Sequence, residues 1–192
     1  MRYLYPLPIS PIMGLRKMPY TDLHALLCDF MTDEEDEHTK RITELVASEL
    51  LKGGSLTQKT FLEIGYWKSP RVVPKMKKNR AVEIPKLTSL AYHENDLARK
   101  TAYLLKLQGV DLTMASSILM FFNPNKYGVI DPNIWQVLYQ LGTIDGHSNG
   151  QSLTIQDYEI FTLMLQNDAR DLGTTLQQIS EGLSKAYEYY HE

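Results

Sequence analysis

The 192-residue sequence contains one cysteine, Cys28. A single thiol excludes an intramolecular disulfide, and also a cysteine-ligated iron–sulfur cluster, which needs about four thiolates. Such usage fits a reducing compartment, so the chain is read as intracellular and cytoplasmic. No apolar run approaches the roughly 20 residues that span a bilayer, and no membrane association is expected. The opening residues Met1-Arg2-Tyr3-Leu4-Tyr5-Pro6-Leu7-Pro8 place prolines where a signal peptide wants an apolar helix. No segment keeps strand alternation over a useful length, and there is no internal repeat or low-complexity tract. The histidines at 24, 38, 93, 147 and 191 are scattered, with no pair at ligand spacing, so neither a metal site nor a cofactor is expected. The acidic stretch Asp33 to Glu37 lacks the glycine and spacing of a calcium loop. Net positive charge is also missing: the formal charge is −3, which weighs against a nucleic-acid partner.

What is present can build a core. Hydrophobic residues make up 43% of the chain and aromatics 10%, and the length suits one domain, 1–192. The charge is uneven. Residues 1–60 carry net −2, residues 61–130 net +6 (eleven Lys/Arg against five Asp/Glu), and residues 131–192 net −7. A mildly acidic protein thus has a basic middle.

The apolar spacing reads as all-α, with about eight helices. Thr21 or Asp22 caps a first helix ending near Met31, with Cys28 expected as a buried, inert thiol among Leu26, Leu27 and Phe30. The acidic run from Asp33 starts a second, which Gly53-Gly54 ends near Leu51. A third spans Ser55 to Tyr66. Between Trp67 and Leu87, Pro70, Pro74 and Pro85 suggest one long irregular stretch. Val72-Val73 and Ala81 to Ile84 offer a minor β-hairpin at most. Further helices are expected over Thr88–Leu107, Leu112–Phe122, Asp131–Leu141, Leu153–Asn167 and Leu172–Tyr190.

Two stretches carry chemical information. In Leu104 to Leu119, a helix ends at Gly109 and another begins almost at once, with Gly109 free to adopt positive φ. A turn of this kind at a helix N-terminus offers backbone N–H groups to a phosphate. The chain then continues through Val129-Ile130-Asp131-Pro132 into the next helix. Together these residues resemble the signature of the helix-hairpin-helix DNA glycosylase superfamily, which includes endonuclease III and the 8-oxoguanine glycosylases. Gly109-Val110 and Ala115 match the hairpin, and Val129-Ile130-Asp131 matches the acidic element at the family's separation. The match covers residues 104–142.

The resemblance implies a two-lobed helical fold, with one lobe from 1–60 plus 143–192 and a hairpin-bearing lobe from 61–142. It also implies DNA as partner, a phosphate-binding hairpin at Gly109, Val110, Asp111 and Thr113, and Asp131 as the catalytic carboxylate. Breaking a base–sugar bond leaves positive charge on the sugar, which a fixed carboxylate stabilises. The chain departs from the pattern at three points: Gln108 replaces the family's proline, Asp111 its second glycine, and Thr113 the lysine of lyase-active members. The implied activity is therefore monofunctional N-glycosylase hydrolysis without lyase chemistry. Asp-Pro is also an ordinary helix cap and first-turn pair, so Asp131 has a purely structural alternative. A catalytically degenerate module, binding DNA or a protein, keeps the same fold.

The second stretch is basic. Lys68, Arg71, Lys75, Lys77, Lys78 and Arg80 fall within thirteen residues that contain no acid, beside Tyr66 and Trp67. Such a run neutralises phosphates while an aromatic stacks on a base. The alternative is a solvated loop whose Trp67 plugs the core.

Overall fold

A computed structural model describes residues 15–32, 36–145 and 148–191. Those residues form ten α-helices: α1 Leu23–Phe30, α2 Glu37–Gly53, α3 Gln58–Lys68, α4 Val73–Met76, α5 Glu83–His93, α6 Leu97–Leu104, α7 Leu112–Phe122, α8 Pro132–Gln140, α9 Ile155–Leu172 and α10 Leu176–Tyr190. The chain is all-α. Among the described residues the extended pairing amounts to one isolated bridge, Leu15 with His191. The expected minor β-hairpin is absent there: Val72 and Val73 sit in a short 3-10 turn and α4, and Glu83-Ile84 open α5.

Short polar side chains set the helix starts. Asp22, Asp36, Thr57, Asp96, Asp111, Asp131, Thr154 and Thr175 each accept a first-turn N–H. Each such cap contributes about 1 kcal/mol. Gly54 and Gly173 end α2 and α9 in the left-handed region. The acidic run expected to begin α2 lies partly outside the described residues, and Asp36 is the observed cap.

Three expectations need correction. The stretch from Trp67 to Leu87 is mostly helical, because its prolines fall in first turns, where a missing N–H costs nothing. The helix expected over 88–107 is broken at Glu94 to Asp96. There the Glu94 carboxylate accepts the Asn95 and Asp96 N–H groups, and Asp96 caps α6. Cys28 is exposed: α1 buries Leu23, Leu26 and Leu27, and position 28 falls off that stripe.

The buried apolar residues form one cluster in which Trp135, Tyr158, Phe61 and Phe161 are the largest fully enclosed side chains. Within it, α2 packs on α3 and α7, α5 on α6, and α10 on α1, α8 and α9. The segment joining α7 to α8 therefore runs between α7 and α10, and this sandwich fixes where Asp131 stands.

Candidate active site

The segment Gly128-Val129-Ile130 is gripped from both sides by serines. Ser180 of α10 accepts the Val129 N–H (3.1 Å), and Ser116 of α7 accepts the Ile130 N–H (3.1 Å). Both hydroxyls donate backwards into their own helices, to the carbonyls of Leu176 and Thr113. The Tyr158 hydroxyl donates to the Gly128 carbonyl. A Cβ on Gly128 would stand 2.5 Å from Ser180 Oγ, so only glycine lets the strand-like segment lie this close to α10. Buried amides thus find partners, as an interior requires, and the chain leaves the sandwich at Asp131 in one orientation.

Asp131 divides its two oxygens between two jobs. Oδ1 accepts from the Asn133 and Ile134 N–H groups (3.0 Å each), the ordinary cap of α8. Oδ2 faces Lys68 Nζ at 2.8 Å, with side-chain exposures of 13% for Asp131 and 21% for Lys68. The residue is therefore a cap and also the wall of a cleft of about 320 Å³. Trp67, Lys68, Asp131 and Ile134 line one side, and Gln177, Ser180, Glu181, Ser184 and Glu188 of α10 the other. That volume lies at the lower end of ligand pockets, about 300–1,000 Å³. The cleft is acidic, with three carboxylates to one amine among its lining residues. Tyr187 stands beside it, its phenol raised above the ordinary value by burial and then by the Asp131 charge.

The hairpin turn has Gly109 at φ +78°, as its glycine suggested. A Cβ there would meet the Met76 backbone N at 2.8 Å, so the turn needs glycine for its conformation and for close packing on α4. Gln108, in the place of the family's proline, uses the N–H a proline lacks: it donates to Asn79 Oδ1 (2.8 Å), and Asn79 Nδ2 donates to the Gln108 carbonyl (2.9 Å). Asp111 is extended (φ −93°), with no left-handed geometry, and caps α7 by accepting the Met114 N–H. Val110 is buried, and the carbonyl of half-buried Thr113 accepts the hydroxyls of Ser116 and Ser117.

The basic run does not act as one surface. Lys68 turns inward to Asp131, Arg80 pairs with Glu83 (2.7 Å), and Lys77 lies over the Tyr66 ring. Arg71, Lys75 and Lys78 are exposed, and none has an ion pair among the described residues. Trp67 is half-buried: its Nε1 donates to Thr39 Oγ1 (2.8 Å) and its ring meets Phe121 edge-on at 5.0 Å, so it plugs the core while presenting part of its surface to the cleft. Because α4 carries Lys75 and touches Gly109, exposed Lys75 adjoins the hairpin turn.

Sequence reasoning missed the cleft's far wall. Gln177, Glu181, Ser184 and Glu188 recur at helical spacing on one face of α10, and the acidity of the last third was their only trace.

A scan against protein-family models and a search of curated proteins each gave no match. Among solved structures, the chain is similar to the 8-oxoguanine DNA glycosylase of Methanocaldococcus jannaschii, with 17% identity over 87% of this chain and 75% of that one, at a TM-score of 0.42. A likeness of that size assigns no chemistry to a side chain. No helix among the described residues is long and apolar enough to cross a membrane.

Proposed function

We propose that this protein is a DNA base-excision enzyme, an N-glycosylase that hydrolyses a base–sugar bond with Asp131. The observation that carries the reading is the divided carboxylate: Oδ1 is immobilised by two amides while Oδ2 opens on the cleft beside an amine. A fixed carboxylate in a partly desolvated cleft suits the cationic sugar left as the base departs. The base would have to leave the duplex to reach it. The cleft is lined by residues from both 61–142 and 143–192, and a flipped nucleotide would be held between them. The exposed cations Arg71, Lys75 and Lys78 would hold phosphates beside the Gly109 hairpin, with Val110, Asp111 and Thr113 shaping the turn.

The test is base release from a panel of lesion-containing duplexes, wild type beside Asp131→Asn. Asparagine caps helices as well as aspartate does, so the fold is expected to persist while release falls by about 100-fold or more. A second reading, a catalytically degenerate DNA- or protein-binding module, draws on the same contact: Lys68 already occupies Oδ2. Duplex binding without base release from any lesion supports that module.

A further inference from the structure

Of six cations in the run 68–80, one points into the cleft. Lys68 is the last residue of α3, and its neighbour Trp67 is pinned by Thr39 and Phe121, which fixes the backbone from which the amine projects. It is the one amine among the cleft's described lining residues, 2.8 Å from Asp131 Oδ2. The hairpin itself brings no amine, since Thr113 stands there with its carbonyl tied to Ser116 and Ser117. An amine and a carboxylate in contact, in a cleft with 21% and 13% of their side chains exposed, form a nucleophile–acid/base pair for a carbonyl carbon.

We propose that Lys68 is a catalytic nucleophile toward the abasic deoxyribose, giving the protein a strand-cleaving lyase activity whose amine comes from α3 rather than from the hairpin. The substrate class is duplex DNA with an aldehydic abasic site, and the proposal rests on the reading that the cleft receives the sugar. The Lys68 ammonium passes a proton to Asp131 Oδ2 across their 2.8 Å contact, which frees the amine. The Nζ lone pair then attacks C1′ of the open-chain aldehyde. Asp131 returns the proton to the hydroxyl, which leaves as water, and an N=C1′ imine remains. Ionised again, Asp131 takes a C2′ proton. The electron pair forms C2′=C3′, the C3′–O bond breaks, and the 3′ phosphate departs. Water hydrolyses the imine, Lys68 recovers its proton from Asp131, and the unsaturated aldehyde is released. No oxidant or reductant is consumed.

The experiment uses the full chain and a duplex with a preformed abasic site, with sodium borohydride added to reduce any imine to a stable protein–DNA cross-link. Wild type is expected to be cross-linked at Lys68, located by peptide mass, and to nick the strand 3′ to the site. Lys68→Arg keeps a cation for Asp131 but cannot form the imine, and is expected to lose the cross-link at least 100-fold while its melting temperature stays near wild type. Lys52→Arg, at an exposed lysine of α2 outside the cleft and the basic run, is expected to retain it. Absence of the wild-type cross-link, or an undiminished one in Lys68→Arg, overturns the proposal. Base release by wild type without any cross-link sinks the lyase and leaves the N-glycosylase reading standing. A Lys68 cross-link without base release from any lesion duplex does the reverse.

Discussion

Asn79 and Gln108 form a reciprocal amide pair: the Gln108 N–H donates to Asn79 Oδ1 at 2.8 Å, and Asn79 Nδ2 donates to the Gln108 carbonyl at 2.9 Å. Asn79 is buried and also reaches the Met76 carbonyl, so one side chain fastens the basic run to the hairpin turn. Asn79→Ala leaves buried amide groups unpaired, at a cost of about 1–3 kcal/mol. Thermal unfolding should fall by several degrees; an unchanged midpoint would show that the pair contributes nothing.

Gly109 and Gly173 separate two reasons for glycine. Both have positive φ, but a Cβ at 109 meets the Met76 backbone, while at 173 nothing lies within 4 Å. Gly173→Ala is expected to cost about 1 kcal/mol from backbone conformation alone, and Gly109→Ala more than twice that, since α4 must also move. Denaturant midpoints of the two variants check the order. Equal losses would mean that the hairpin does not depend on its seat against α4.

The serine grip on residues 128–130 links packing to chemistry. Ser180→Ala removes the acceptor for the buried Val129 N–H and should cost about 1–3 kcal/mol. Because that segment aims Asp131, base release should fall as well, though Ser180→Ala leaves the carboxylate in place. Stability lost with full base release would confine the grip to folding.

The exposed cations make a graded forecast. Each phosphate contact contributes a slope of about −0.9 in log K against log salt. Neutralising Arg71, Lys75 and Lys78 together should shallow the slope by about 2–3. Neutralising Arg80, already paired with Glu83, should change it by less than one such contact. Titrations of a duplex at several salt concentrations distinguish the two. An unchanged slope in the triple variant would make this surface a bystander.

Acid should destabilise the fold. The Asp22 carboxyl is lowered by the Ala25 amide, Glu83 by Arg80, and Glu94 by the Asp96 amide. Burial pushes Asp36 up, but the Thr39 hydroxyl and the Thr39 and His38 amides more than offset it. A carboxyl held lower in the folded state stabilises above its unfolded value and loses that contribution as pH falls through its folded one. Asp168, raised by burial, works the other way. Urea midpoints should therefore hold down to about pH 4.5 and drop below it. Asp36→Asn, which keeps a cap, should soften that drop, and a loss just as steep would place the acid sensitivity elsewhere.

Much of the fold was legible because its signals are local. Apolar spacing and short polar caps marked α1, α2, α3, α7 and α8 to within a few residues. The prolines at 70, 74 and 85 misled, since a proline in a first turn reads the same as one that breaks a helix. The break at Glu94 was hidden because the apolar period continues through it. In the site, Asp131 and Gly109 were visible by position. The partnership of Lys68 with Asp131 was not: 63 residues separate them, and no periodicity encodes a contact made by packing α3 against the turn before α8. The same holds for the α10 wall, whose glutamates look like ordinary solvated positions until the fold faces them toward α3.

In the proposed mechanism Asp131 does chemistry beyond capping α8. The most direct measurement is the single-turnover rate of base release by Asp131→Asn and wild type on the lesion duplex that wild type processes fastest, with both unfolding midpoints recorded. The expected rate is lower by about 100-fold or more, with a midpoint within a few degrees of wild type. Base release by Asp131→Asn at the wild-type rate would contradict it.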